Sequence, residues 1–163
     1  MIQILPMQAE HWESVKKIYE EGIATGNATF ETSAPTYEVW DTAHLADCRL
    51  VALDGGQVAG WAALTPVSGR CVYAGVADIS VYVAEKFRGR KIGDLLLRQL
   101  IRESERAGLW TLQAGIFPEN KASLALHQKN GFEVLGVRKK IGKMNQVWRD
   151  TILLERRSET VGV

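Results

Sequence analysis

The stretch Asp78-Ile-Ser-Val-Tyr-Val-Ala-Glu-Lys-Phe-Arg-Gly-Arg-Lys-Ile-Gly93 decides the fold and points to a ligand. Asp78, Ser80 and Tyr82 alternate with Ile79, Val81 and Val83, the period of a strand with two unlike faces. From Ile92 the period changes: Ile92, Leu95, Leu96, Leu100 and Ile101 recur at helical spacing. Between the two, Lys86, Arg88, Arg90 and Lys91 crowd around Gly89 and Gly93. A glycine-bearing turn that opens a helix aims unpaired backbone N–H groups, and the positive end of the helix dipole, at one spot. That spot suits a phosphate or pyrophosphate, and nearby cations neutralise charge that the backbone only partly compensates. A solvated basic turn before an ordinary helix is the plainer alternative. Neither G-x-x-x-x-G-K-[ST] nor G-x-G-x-x-G occurs here.

Outward from this stretch, the pattern predicts a strand at Ile2–Leu5, a helix over Glu10–Gly22 and a polar loop over Gly26–Thr36. A weaker helix follows over Tyr37–Asp47, then a hairpin of Arg49–Leu53 and Gln57–Leu64 about Gly55-Gly56. The central strand is expected over Tyr73–Val83, the long helix over Ile92–Arg106 and a strand over Trp110–Phe117. Pro118 and Asn120 open a helix that Gly131 ends. Two strands close the chain, Phe132–Ile141 and Gln146–Leu154. Hairpins mixed with crossovers predict an α/β chain with a mixed sheet and helices on both sides.

Composition bounds the function. A chain of 163 residues fits a single domain over residues 1–163. Twenty basic against 19 acidic residues leaves no surplus for a nucleic-acid surface. No basic leader with a long apolar run is visible, and no apolar stretch approaches membrane-spanning length. Cys48 and Cys71 suggest reduced thiols and a cytoplasmic location, not a disulfide framework. The three histidines and two cysteines lack metal-ligand spacing, so no metal is expected.

Arg88-Gly-Arg-Lys-Ile-Gly93 resembles the R/Q-x-x-G-x-G/A signature by which the GNAT superfamily of N-acetyltransferases holds the pyrophosphate of acetyl-CoA, with Lys91 where the middle glycine stands. Asn120 through Gly131-Phe132 resembles the second landmark of that superfamily. Thr29-Phe-Glu-Thr32, Gly60-Trp61-Ala62, Arg70 with Tyr73, Ala114-Gly115-Ile116, Ser123-Leu-Ala-Leu-His127 and Trp148-x-Asp150 narrow the likeness. Their order is similar to that of the phosphinothricin and methionine sulfoximine N-acetyltransferases, from Ile2 to about Leu154.

This resemblance implies a GNAT fold: a mostly antiparallel sheet of six or seven strands flanked by about four helices. It implies an acyltransferase that moves acetyl from acetyl-CoA directly to the primary amine of a small amino-acid-like substrate, in a homodimer. A non-catalytic acyl-CoA sensor and an enzyme acting on protein amines are the alternatives. Arg88, Gly89, Arg90, Lys91, Ile92 and Gly93 would hold the diphosphate, and Asn120 and the backbone of Val81, Tyr82 and Val83 the pantetheine arm. Asn120 also reads as a helix N-cap.

Asp78 is the candidate base, because an alkylammonium must lose a proton before it attacks. Related sequences carry Glu there, so the shorter Asp suits relay through a water. Its alternative is a strand-end carboxylate bonded to backbone or Arg70. His127 stands where many members carry a tyrosine that protonates the thiolate; its alternative is a helix histidine packed beside Phe132 or bonded to backbone. Phe30, Glu31, Arg70 and Tyr73 are the candidate acceptor lining, with Ser68 replacing a second arginine that related sequences often show. Phe30 and Trp40 equally suit core packing, and His11 and His44 read as surface residues.

Overall fold

The apolar repeat beginning at Ile92 forms a helix over Ile92–Arg106, burying Ile92, Leu96, Leu97, Leu100 and Ile101 and leaving Arg98 and Arg102 in solvent. Full burial of each such side chain contributes about 1.5–3 kcal/mol, so this one face anchors the layer. The computed structural model describes residues 1–163. In chain order it has β1 (Ile2–Pro6), α1 (Trp12–Ala24), α2 (Tyr37–Ala43), β2 (Leu50–Asp54), β3 (Gln57–Pro66), β4 (Val76–Val83) and α3 (Ile92–Arg106). These are followed by β5 (Thr111–Ile116), α4 (Lys121–Lys129), β6 (Glu133–Met144) and β7 (Val147–Arg157).

All seven strands join one sheet in the order β1-β2-β3-β4-β5-β7-β6, and β4 with β5 is the one parallel pair. That pair is joined by the α3 crossover, as parallel neighbours require. Helix α3 packs against the face that includes Gly60, where a methyl group would lie 3.0 Å from Leu96 Cδ1. Helix α1 takes the opposite face: Tyr19 lies 5.1 Å from Tyr82 and 5.7 Å from Trp61, ring centre to ring centre. Trp40 of α2 packs edge-on against Trp61 at 5.7 Å on the same side. The 1% exposure of Trp40 settles it as a core residue.

Several expected boundaries shift, three of them for a visible reason. Helix α2 ends at Ala43 rather than Asp47, because His44 turns extended and stacks on Trp40 at 4.0 Å with its Nδ1 at 2.6 Å from the Trp40 carbonyl. His44 is therefore half-buried, not a surface residue. Strand β4 begins at Val76, since Cys71–Tyr73 form a 3-10 turn. Strand β6 runs on to Met144 through two irregularities, one of which sets Lys140 at φ +50° and lets its N–H donate to Asp150 Oδ1 at 2.8 Å.

The parallel pair starts at Gly75, whose carbonyl accepts from Trp110 N–H (2.9 Å) and Thr111 N–H (3.1 Å). The Trp110 ring lies flat on this glycine, so that a Cβ would sit 2.0 Å from Trp110 Cε3. Gly75→Ala is expected to destabilise the fold by about 1–3 kcal/mol through overpacking. The check is a lower urea midpoint with an unchanged m-value.

Candidate active site

Strands β4 and β5 pair over three residues only, ending at Asp78 opposite Gln113, while β4 continues to Val83 and β5 to Ile116. Past that point the two strands part. A cleft of about 790 Å³ fills the gap, walled by Ile79–Val83 on one side and Ala114–Phe117 on the other. Strand alternation fixes which backbone groups face it. Ala84 N–H donates to the Ala59 carbonyl of β3 at 2.8 Å, so every second residue, Tyr82 included, spends its backbone on β3. Val81 and Val83 turn theirs toward the parted side. That corrects the expectation for the Tyr82 backbone; its side chain instead stacks on Trp61 at 4.9 Å.

The basic turn lies at one end of this cleft. Arg88 and Gly93 line it. Lys91 adopts φ +61° at the helix N-cap and supplies no side-chain cap, so the first N–H groups of α3 keep no side-chain acceptor. Gly93 lies close to its neighbours: a Cβ there would meet Leu126 Cδ2 at 3.2 Å and crowd it. An extended arm bearing amides and ending in a diphosphate fits these groups, with strand-like backbone donors at Val81 and Val83 and a cationic helix start beyond. Gly89 and Lys91 are exposed beside the cleft and Ile92 is buried beneath it, so they shape the turn rather than wall it. Arg90 is a correction. Its guanidinium pairs with Asp54 at 2.8 Å, away from the cleft lining.

Asp78 sits where the strands divide and lines the cleft. Gln113 Nε2 donates to its Oδ1 at 2.9 Å. Burial raises its pKa above the usual carboxylate range, partly offset by that hydrogen bond and by the Arg138 charge. A carboxylate so placed holds a proton more tightly, as a base for an ammonium requires. Its alternative partner Arg70 is far from this arrangement, stacked on Tyr73 at 5.6 Å in the exposed turn before β4.

His127 is 4% exposed and also lines the cleft. Its Nδ1 lies 2.7 Å from the Ser123 carbonyl, which can only accept, so Nδ1 carries the proton and the neutral ring leaves Nε2 as an acceptor. Burial lowers its pKa, the Ser123 bond offsetting part of this. Both effects run against the expected proton donor. The packing alternative is present too: the ring meets Phe132 edge-on at 5.1 Å.

Asn120 lines the cleft and also makes two hydrogen bonds within the chain. Its Oδ1 accepts from Ser123 N–H (3.2 Å) as the N-cap of α4, and its Nδ2 donates to the Asn27 carbonyl (3.2 Å). Arg149 completes the same junction, donating to the Gly26 carbonyl (2.6 Å) and Asn27 Oδ1 (2.8 Å) while its guanidinium lies 3.8 Å over the Phe117 ring. Phe30 packs on Phe117 at 4.8 Å and lines the cleft. Of the expected acceptor lining, Phe30 alone reaches it. Glu31, Arg70 and Tyr73 are exposed outside it. The expectation missed Gln113, which bonds Asp78, and Thr151, which lines the cleft. Alternation along β7 marks Arg149 and Thr151 as facing one side, but the pairing of β7 with β5 is needed to bring Thr151 to the cleft.

The sheet parted after Asp78 and the helix N-terminus beside it define an acyl-transfer fold. The model of the acetyltransferase (GNAT) family matches residues 12–132, and the chain belongs to that family. It is 33% identical to the phosphinothricin N-acetyltransferase of Alcaligenes faecalis over 88% of this chain and 76% of that one. Identity to the phosphinothricin N-acetyltransferase of Streptomyces coelicolor is 31%, over 90% of this chain and 91% of the relative. A crystal structure of a GNAT superfamily phosphinothricin acetyltransferase from Sinorhizobium meliloti in complex with AcCoA superposes with a TM-score of 0.85 at 27% identity, covering 99% and 95% of the two chains.

The depressed histidines give a pH signature. Burial favours the neutral forms of His127 and His44, so each takes up a proton more readily once the chain unfolds. Stability is then fully present above the ordinary histidine pKa of about 6.5 and falls as pH drops below it. Urea midpoints measured between about pH 5.5 and 7.5 should decline toward acid, and His127→Gln should make that decline shallower.

Proposed function

We propose that the chain transfers the acetyl group of acetyl-CoA directly to the primary amine of a small amino-acid-like acceptor. The observation that carries this reading is the parting of β4 from β5 at Asp78, which puts a half-buried carboxylate at the edge of a cleft lined by strand backbone. The relatives named as phosphinothricin N-acetyltransferases support the acceptor class.

Acetyl-CoA supplies an acetyl thioester whose carbonyl carbon is the electrophile. Val81 and Val83 hold the pantetheine arm and direct an N–H toward the carbonyl oxygen as charge builds there. Arg88 and the first amides of α3 hold the diphosphate. Asp78 accepts the ammonium proton, directly or through one water, and the freed lone pair attacks the acetyl carbon. The carbon–sulfur bond then breaks, the electron pair leaves with sulfur, and the second proton of the attacking nitrogen passes to the departing thiolate or to water. His127 walls the channel and offers Nε2 as an acceptor. Direct transfer is favoured because burial pushes the Cys48 thiol up to about 11 and Cys71 lies outside the cleft, leaving no activated thiol to carry an acyl group.

Surface chemistry supports the oligomer and the location proposed here. Val134, Leu135, Val137, Ile141, Val147 and Trp148 are each about half exposed on the β6–β7 hairpin, and β6 is a sheet edge. We place the homodimer contact there, since an uncovered apolar edge invites pairing. No helix is long and apolar enough to cross a membrane. The cytoplasm is the compartment that keeps Cys48 and Cys71 as free thiols.

Release of CoA thiol across a panel of amino acids, methionine sulfone, polyamines and peptide N-termini tests the reading. Turnover with the small amino acids is expected; CoA binding without turnover of any amine would make the protein a sensor. Asp78→Asn should lower kcat about 100-fold or more while CoA affinity stays within about twofold. Arg88→Ala should weaken CoA binding about 10-fold, in a salt-sensitive way. An Asp78→Asn enzyme as active as the wild type at every pH would remove that residue as the base.

A further inference from the structure

The last rung of the parallel ladder carries a side-chain hydrogen bond at the point where the cleft begins. Asp78 of β4 and Gln113 of β5 stand opposite each other, just before the two strands part. Gln113 Nε2 donates to Asp78 Oδ1 at 2.9 Å. The polarity of that bond is fixed, because an ionised carboxylate only accepts and an amide nitrogen only donates. Gln113 stands out in β5, where Leu112, Ala114 and Ile116 around it are buried and apolar. Its backbone lies between two strands, opposite Asp78 on one side and Glu155 on the other. The sheet therefore sets the place of this amide, rather than a loop.

The bond makes the two oxygens of Asp78 unlike. Oδ1 is taken by Gln113, whereas Oδ2 accepts from no group of the chain. The buried side-chain polar atoms that lack a partner are the indole nitrogens of Trp40 and Trp61, so Oδ2 is open to the cleft that Asp78 lines. Gly115, next on that face of β5, leaves the approach clear, since a Cβ there would meet nothing within 4 Å. Few charges surround this carboxylate. Strand β3 sets Thr65 opposite it, β7 sets Glu155 one rung beyond Gln113, and Arg70 stays on Tyr73 in the turn before β4. From α4, His127 reaches the same cleft as a neutral ring. Arg138 is the one cation whose charge reaches the carboxyl, and it acts in the same direction as Gln113, against the effect of burial.

We propose that Gln113 is a positioning residue for acetyl transfer: its amide holds Asp78 by one oxygen, leaves the other aimed into the cleft, and stabilises the ionised carboxylate. This rests on the acetyl-transfer reading above and adds to it the group that sets the orientation and proton affinity of the base. An aspartate reaches one methylene less far than a glutamate, so the direction of its free oxygen decides whether an amine or a bridging water can meet it. Without the donor, a half-buried carboxylate holds its proton to higher pH. It is then spent as a base over more of the neutral range.

Gln113→Leu removes the donor at similar size, and Gln113→Glu puts a second carboxylate in its place. Two readouts separate positioning from packing. One is the pH profile of kcat/KM for L-methionine sulfone; the other is the carboxyl-carbon NMR titration of Asp78 in the free protein, assigned by its disappearance in Asp78→Asn. The amine titrates alike in every variant, so differences between profiles belong to the protein. Gln113→Leu should raise the acid limb and the Asp78 titration together by about one pH unit. It should also lower the plateau about 10-fold, with the KM for acetyl-CoA within about twofold of the wild type. Gln113→Glu should move both at least as far, because a like charge adds to the lost bond. Lower stability with neither the profile nor the titration moved would make Gln113 a packing residue and overturn the proposal. So would a profile that moves while the Asp78 titration stays put. An Asp78 titration shifted in Gln113→Leu, when the wild type releases no thiol with any amine, would sink the acetyl-transfer reading and leave the Gln113–Asp78 coupling standing.

Discussion

Every functional feature of this molecule depends on one break in hydrogen bonding. After Asp78 and Gln113 the parallel ladder stops, and five residues of β4 lose a neighbour on one side. Unpaired strand backbone buried in a protein is costly unless something else pairs with it. Here β3 satisfies one edge of β4, and the other edge faces the cleft. The break is held open by packing on both sides of the sheet. Gly93 brings α3 against Val83 and Leu126, while Tyr82 fills the space over Gly22 on the other face.

The two faces of the parted sheet differ in chemistry. On the α3 side lie a helix N-terminus, Arg88 and the neutral His127, a setting for an anion and a soft, uncharged thioester. On the α1 side lie Asp78, Ser80, Thr151 and the aromatic group of Tyr19, Trp61 and Tyr82. Asp78 can bridge the two because it stands at the apex of the opening. Its raised pKa comes chiefly from burial there, so the position and the basicity have one cause.

Much of the fold was legible in the chain because strong local patterns agree with the final packing. The Ile92–Arg106 helix carries a complete apolar face, and its limits came out as expected. Boundaries failed where a distant contact decides the matter. His44 leaves the helix to stack on Trp40, and Tyr73 falls in a turn that Gly75 and Trp110 complete from opposite ends of a crossover. The same holds for the site. Asp78, Arg88 and Gly93 follow from one contiguous motif, but the diversion of Arg90 depends on Asp54, 36 residues earlier. Placing Thr151 in the cleft requires the registers of β4 with β5 and of β5 with β7, and local alternation carries no information about those.

Arg149 draws together Gly26 and Asn27, Glu119 and the Phe117 ring, with Asn120 reaching the same loop from α4. Segments near the start, the middle and the end of the chain thus meet at a single guanidinium beside the acceptor opening. Such a keystone means that the mouth is already shaped before any amine arrives, so association loses little loop entropy. The corollary is a trade between rigidity and breadth. Widening that rim would break the hydrogen bonds of Arg149, so the shape of the mouth is tied to the stability of the fold.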